Sequence, residues 1–98
     1  MTIEIKKKSP EALLELSGRL DTTTAPTLDK TIREEIHESA SLVLDLQGLE
    51  YISSAGLRVL LGAQKRMGKC GSMKLTNVCE EVMEVFEMTG FADILEIE

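Results

Sequence analysis

Aromatic residues are almost missing from this chain. It has no Trp, one Tyr and two Phe in 98 residues. A base-stacking surface has little to be built from, and a net charge of −6 repels a phosphate backbone. Nucleic acid is therefore not an expected partner, whereas a positively charged protein surface is. His occurs once, at His37, and Cys twice, at Cys70 and Cys79. These three cannot complete a zinc site at usual ligand spacing, so no metal is expected and the cysteines read as reduced, partly buried thiols. No apolar run approaches the ~20 residues of a membrane span. The N-terminus, Met1 to Lys8, lacks an apolar core of signal-peptide length. The expectation is a cytoplasmic protein that does not enter membranes. Linkers, low-complexity runs and internal repeats are also missing, and the length suits one domain, residues 1–98, with one modest core.

What is present alternates between two periodicities. Ile3 and Ile5 alternate with polar residues, Ser9-Pro10 punctuates, and Ala12, Leu14 and Leu16 alternate again with Leu13 on the other face. Two strands with so short a link pair antiparallel. Threonines 22–24 before Pro26 mark a helix start. Ala25, Leu28, Ile32 and Ile36 then recur at helical spacing, predicting an amphipathic helix over roughly 24–38. Residues 42–46 are nearly continuous apolar sequence, as in a strand covered on both faces. Leu57, Leu60, Leu61, Gln64 and Met67 place a helix over 54–69. Residues 73–78 read as a strand and 80–89 as a helix that Gly90 stops. Residues 91–98 fit either a last helical turn or an edge strand. Met67, Met73, Met83 and Met88 read as core filler. This order implies an α/β fold with a mixed, mostly parallel sheet of four or five strands and an antiparallel N-terminal edge strand, packed with three or four helices.

The most informative stretch is Tyr51-Ile52-Ser53-Ser54-Ala55-Gly56-Leu57-Arg58. It puts two serines where a helix begins, beside free backbone N–H groups and the positive end of the helix dipole. By residue type alone, Ser54 is a preferred helix cap. A phosphate on a serine there would be tolerated by the fold while changing the surface charge sharply. The chain lacks a G-x-S-x-G elbow and a G-x-x-x-x-G-K phosphate loop, so neither a serine hydrolase nor a nucleotide site is expected, and no cofactor. Asp21 reads locally as a turn or cap carboxylate, Asp45 as a residue satisfying backbone groups at a strand end, and Glu34, Glu35 and Glu38 as a solvated face. Arg58 lies one turn beyond Ser54 and reads either as an ordinary solvated arginine or as a residue within reach of a phosphate there.

The segment from Tyr51 to Leu61 resembles the signature of STAS domains, specifically the bacterial anti-sigma factor antagonists. Gly18-Arg19-Leu20-Asp21, Leu44-Asp45-Leu46 and Phe86 to Phe91 resemble further family segments, so the likeness covers the whole chain. The resemblance implies a small STAS fold without catalytic activity. It implies binding to an anti-sigma factor that is also a serine kinase, which releases a sigma factor. Phosphorylation of the antagonist ends that binding, and a serine phosphatase resets it. The acceptor implied is Ser54, two residues before Gly56, and the implied partner surface comprises Asp21, Ser53, Ser54, Ala55, Gly56 and Arg58. Ala55 and Gly56 are expected to let a partner backbone approach. Family members often carry Asp before the acceptor, where this chain has Ser53. The alternative is a STAS module of another signalling or transport complex that involves no sigma factor. A monomer is the default.

Overall fold

The computed structural model describes residues 1–7, 11–35, 41–70 and 72–98, of which 68–70 are described by backbone only. Four strands form one sheet in the order β1 (Thr2–Lys7), β2 (Glu11–Leu20), β3 (Ser41–Ile52) and β4 (Ser72–Thr76). β1 runs antiparallel to β2, while β2–β3 and β3–β4 are parallel. Helices α1 (Ala25–Glu35), α2 (Ser54–Cys70) and α3 (Glu80–Thr89) follow β2, β3 and β4. The mixed α/β architecture expected from the sequence is the one found. The last three residues of the expected first helix lie outside the described residues.

Alternation along the strands decides where the core sits. Ala12, Leu14, Leu16, Leu42, Leu44, Leu46, Met73 and Leu75 share one face and are buried. Leu28 and Ile32 of α1, Leu60 and Ala63 of α2, and Val82 and Phe86 of α3 join them in one cluster. The opposite face, with Leu13, Glu15, Val43, Asp45 and Lys74, is only half-buried. The apolar run at 42–46 is thus covered on one side rather than both. Val43 is apolar because β-branched residues suit strands, not because a second layer covers it.

β3 is much longer than the 42–46 expected, for a register reason. Its pairing with β2 shifts between Glu15 and Ser17 and again between Gly18 and Arg19. β3 carries the extra residues, so beyond Leu46 burial falls every third residue, on Leu49 and Ile52. Such bulges erase the two-residue signature and bend the strand. Gly48 serves the first bulge: a Cβ there would lie 2.6 Å from Ser17 Cβ. The Asp45 carboxylate accepts from Gln47 N–H (3.0 Å) and Asn77 Nδ2 (3.1 Å), satisfying groups at this bulge rather than at a strand end.

The C-terminal segment combines both expected forms. A 3-10 turn spans Phe91–Asp93, and Ile97 then pairs in parallel with Leu75. Leu75 N–H donates to Glu96 O, and Glu98 N–H to Leu75 O, each at 2.9 Å, which covers part of the β4 edge. Met67 and Met73 are buried as expected, and Met83 packs on the core. Met88 is 85% exposed and contributes no core packing, because it faces away from the sheet on α3.

Candidate functional site

Parallel pairing of β2 and β3 carries their C-terminal ends to the same edge of the sheet. Leu20 pairs with Ile52 and Arg19 with Tyr51. Ser53 N–H donates to Leu20 O at 2.9 Å, which ties the turn after β2 to the start of α2. The topology therefore brings Asp21 and the two serines together, although they are over thirty positions apart in sequence. An edge formed by the carboxyl ends of parallel strands is the usual place for a functional site in an α/β fold.

The two serines hold different positions. Ser53 is the N-cap: its carbonyl accepts from Leu57 N–H at 2.9 Å, and its Oγ accepts from Gly56 N–H at 3.4 Å. Ser54 is the first helical residue and is exposed. The capping role expected of Ser54 thus belongs to Ser53. Ala55 is half-buried, and Arg58 is exposed one turn further on.

Gly56 faces inward. A Cβ on it would lie 2.7 Å from Leu20 Cγ, 2.9 Å from Ile52 Cγ1 and 3.0 Å from Leu20 O. Real Cβ atoms do not approach so closely, so glycine here lets α2 rest against the ends of β2 and β3. The expectation that Gly56 opens the helix start to a partner's backbone is corrected: the close approach is internal. Ala55 packs partly against the core and also lines the groove beside α1.

Asp21 is held by its own turn. Its Oδ1 accepts from Thr23 N–H at 3.0 Å and Thr24 N–H at 3.1 Å. Asp21 N–H in turn donates to Thr24 Oγ1 at 2.9 Å, and that hydroxyl donates to Arg19 O at 2.7 Å. The Thr24 N–H, followed by the Thr23 N–H and the charge of Arg19, holds the Asp21 carboxyl below the usual carboxylate range. Asp21 thus presents a fixed negative charge at this edge. Arg19 completes the surface: its guanidinium lies 4.0 Å from the centre of the Tyr51 ring, with Nε 3.9 Å from Asp21 Oδ2.

Arg19 and Tyr51 were not singled out as site residues in the sequence, and Thr24 was read only as part of a helix start. Their signal is a register, Arg19 opposite Tyr51, that the bulges in β3 conceal. Between α1 and α2, an open groove of about 500 Å³ starts beside Ala55 and Arg58 and runs to Gly62 and Arg33.

The STAS domain profile matches residues 2–98. The chain belongs to the STAS domain family. Its relatives there include the anti-sigma-B factor antagonist of Bacillus subtilis, 30% identical over 98 residues, spanning 99% of this chain and 90% of the relative. Among solved structures, an anti-sigma factor antagonist from Mycobacterium paratuberculosis superposes with a TM-score of 0.87 at 24% identity, covering 98% of this chain and 83% of that one. SpoIIAA, another anti-sigma factor antagonist, has been solved unphosphorylated (TM-score 0.83, 18% identity, 99% and 88% covered) and phosphorylated (TM-score 0.71, 16% identity, 99% and 91% covered).

Proposed function

We propose that this STAS domain is an anti-sigma factor antagonist. It binds an anti-sigma factor serine kinase, frees the sigma factor held there, and is released when that kinase phosphorylates Ser54. The observation that carries this reading is the division of labour between the serines. Ser53 spends its oxygens on the helix cap, while the Ser54 hydroxyl is exposed at the first helical position. Only the second is presented to an enzyme without dismantling the helix start.

In the reaction, the Ser54 hydroxyl attacks the γ-phosphorus of ATP held by the kinase. A new O–P bond forms, the bond to the β-phosphate oxygen breaks, ADP leaves, and the hydroxyl proton passes to the kinase. A serine phosphatase restores the hydroxyl with water. The phosphoserine carries about −1.5 to −2 charges at neutral pH. Beside a helix N-terminus that charge is favourable by about 0.3–1 kcal/mol, so the domain stays folded. Inside an interface the same dianion costs several kcal/mol unless cations pair it. Asp21, ionised at the same edge, adds repulsion if the partner holds the loops together. Release follows from charge and desolvation at the surface.

The test is incubation of wild type, Ser53→Ala and Ser54→Ala with ATP and the anti-sigma factor kinases of the same genome, followed by peptide mapping by mass. Phosphate on wild type and Ser53→Ala but not on Ser54→Ala is expected. Phosphate on Ser54→Ala and none on Ser53→Ala would reverse the assignment.

A further inference from the structure

Gly62 lies inside α2, where glycine destabilises a helix relative to alanine. Unlike Gly56, it has no internal reason to be there: a Cβ built on it meets nothing within 4 Å. It lies in the groove between α1 and α2, with Ala25, Pro26, Ala55 and Val59 among the lining residues. The groove begins next to Ser54, so it is continuous with the surface assigned to the kinase.

Its charge runs against that of the molecule. The chain carries −6, but the ionisable residues lining the groove are Asp29, Arg33 and Arg58, a surplus of one positive charge. Asp29 is neutralised twice, by Arg33 Nε at 2.8 Å and by Arg66 Nη2 at 3.5 Å. Arg58 is exposed and has no ion-pair partner among the described residues.

We propose that this groove receives a segment of the partner kinase that is small or apolar on one side and places a carboxylate against Arg58. Gly62 lets that segment approach the α2 backbone. The inference rests on the antagonist reading and adds to it a docking surface and the chemistry that fits it. It also gives Arg58 a role in the switch. Ser54 and Arg58 are four residues apart on one helix, so their side chains share a face. A phosphate on Ser54 competes for the same guanidinium as the partner carboxylate.

The test uses the full chain and the purified kinase that wild type captures, with affinity measured by calorimetry at low and high salt. Gly62→Leu places a side chain in the groove from a position where its Cβ meets nothing within 4 Å, and should weaken binding by about tenfold or more while the circular dichroism spectrum is unchanged. Gly62→Ala, which can only support the helix, should fold at least as well as wild type and bind measurably more weakly. Arg58→Glu should lose about tenfold or more, Arg58→Lys should retain most of the affinity, and Arg58→Gln should flatten the salt dependence. Unchanged affinity in Gly62→Leu and Arg58→Glu, with wild type binding and being phosphorylated, overturns the groove and leaves the antagonist reading standing. Loss with Gly62→Leu but not with Arg58→Glu overturns the acidic occupant. A wild type that binds no kinase overturns both readings together.

Discussion

Two glycines six residues apart on α2 should respond oppositely to the same substitution. At Gly56 an alanine methyl would sit 2.7 Å from Leu20 Cγ, 2.9 Å from Ile52 Cγ1 and 3.0 Å from Leu20 O. The carbonyl belongs to the backbone that accepts from Ser53 N–H, so it cannot step aside without loosening the joint between β2 and α2. Overpacking of this kind costs about 1–3 kcal/mol. The helix preference of alanine returns at most ~1 kcal/mol, and less so near the helix start. The net expectation for Gly56→Ala is destabilisation by about 1–2 kcal/mol. For a domain of this size that lowers Tm by roughly 5–15 °C. At Gly62 there is nothing to strike, and Gly62→Ala should stabilise by about 0.4–1 kcal/mol. Urea titration followed by far-ultraviolet circular dichroism measures both. A Gly56→Ala midpoint at or above wild type would refute the packing argument. It would restore the other explanation of that glycine, in which the variant folds normally and fails only to bind.

Further outcomes follow from the same edge of the sheet. Ser53→Ala removes the cap acceptor and should cost about 0.5–1 kcal/mol in urea denaturation, whereas Ser54→Ala should stay within ~0.5 kcal/mol of wild type. Thr24→Val deletes the hydroxyl that joins Asp21 N–H to Arg19 O, and should cost about 1–2 kcal/mol and speed hydrogen exchange at the Asp21 amide. Asp21 has a folded-state pKa below its unfolded value, so its contribution is complete above about pH 3.9 and is lost as pH falls through the lower folded value. Asp21→Asn should therefore flatten the acid limb of a stability–pH profile, and an unchanged limb would count against the loop's hold on the carboxylate. Ser54→Asp should keep its helicity and bind the kinase at least about tenfold more weakly, with calorimetry as the measure. Equal affinity would remove charge as the cause of release.

The helices were legible because their apolar stripes are long and their ends carry recognisable residues. α2 and α3 begin where their patterns begin, at Ser54 and Glu80, and Gly90 closes α3 with φ +82°. β3 was less legible because two register shifts replace alternation with a spacing of three after Leu46. Its length, and with it the pairing of Arg19 with Tyr51, depends on contacts with β2 that no local pattern encodes. The site was legible as a motif and not as geometry. Sequence spacing placed both serines and Gly56 at one helix start. It could not say which serine's oxygen turns back to the Gly56 N–H, or that the missing Gly56 side chain makes room for Leu20. Those answers come from how closely the start of α2 packs on Leu20 and Ile52.

Under the proposed function, the same arrangement favours a charge switch at this site over a conformational one. The residues that fix the helix start are Ser53, Gly56, Leu20 and Ile52, each half-buried or buried. The residues offered to solvent are Ser54, Arg58, Arg19 and Tyr51. Structural and variable roles thus fall on different side chains within a few residues. A group added to Ser54 changes the second set without displacing the first. On the proposed reading, the phosphorylated protein returns to its starting state by hydrolysis alone, with no refolding step. On the proposed antagonist reading, the partner surface is matched to a neutral hydroxyl beside a fixed Asp21 carboxylate and offers no spare cation to a dianion. Giving the partner such a cation by mutation should rescue binding of Ser54→Asp while weakening nothing in the fold of this chain.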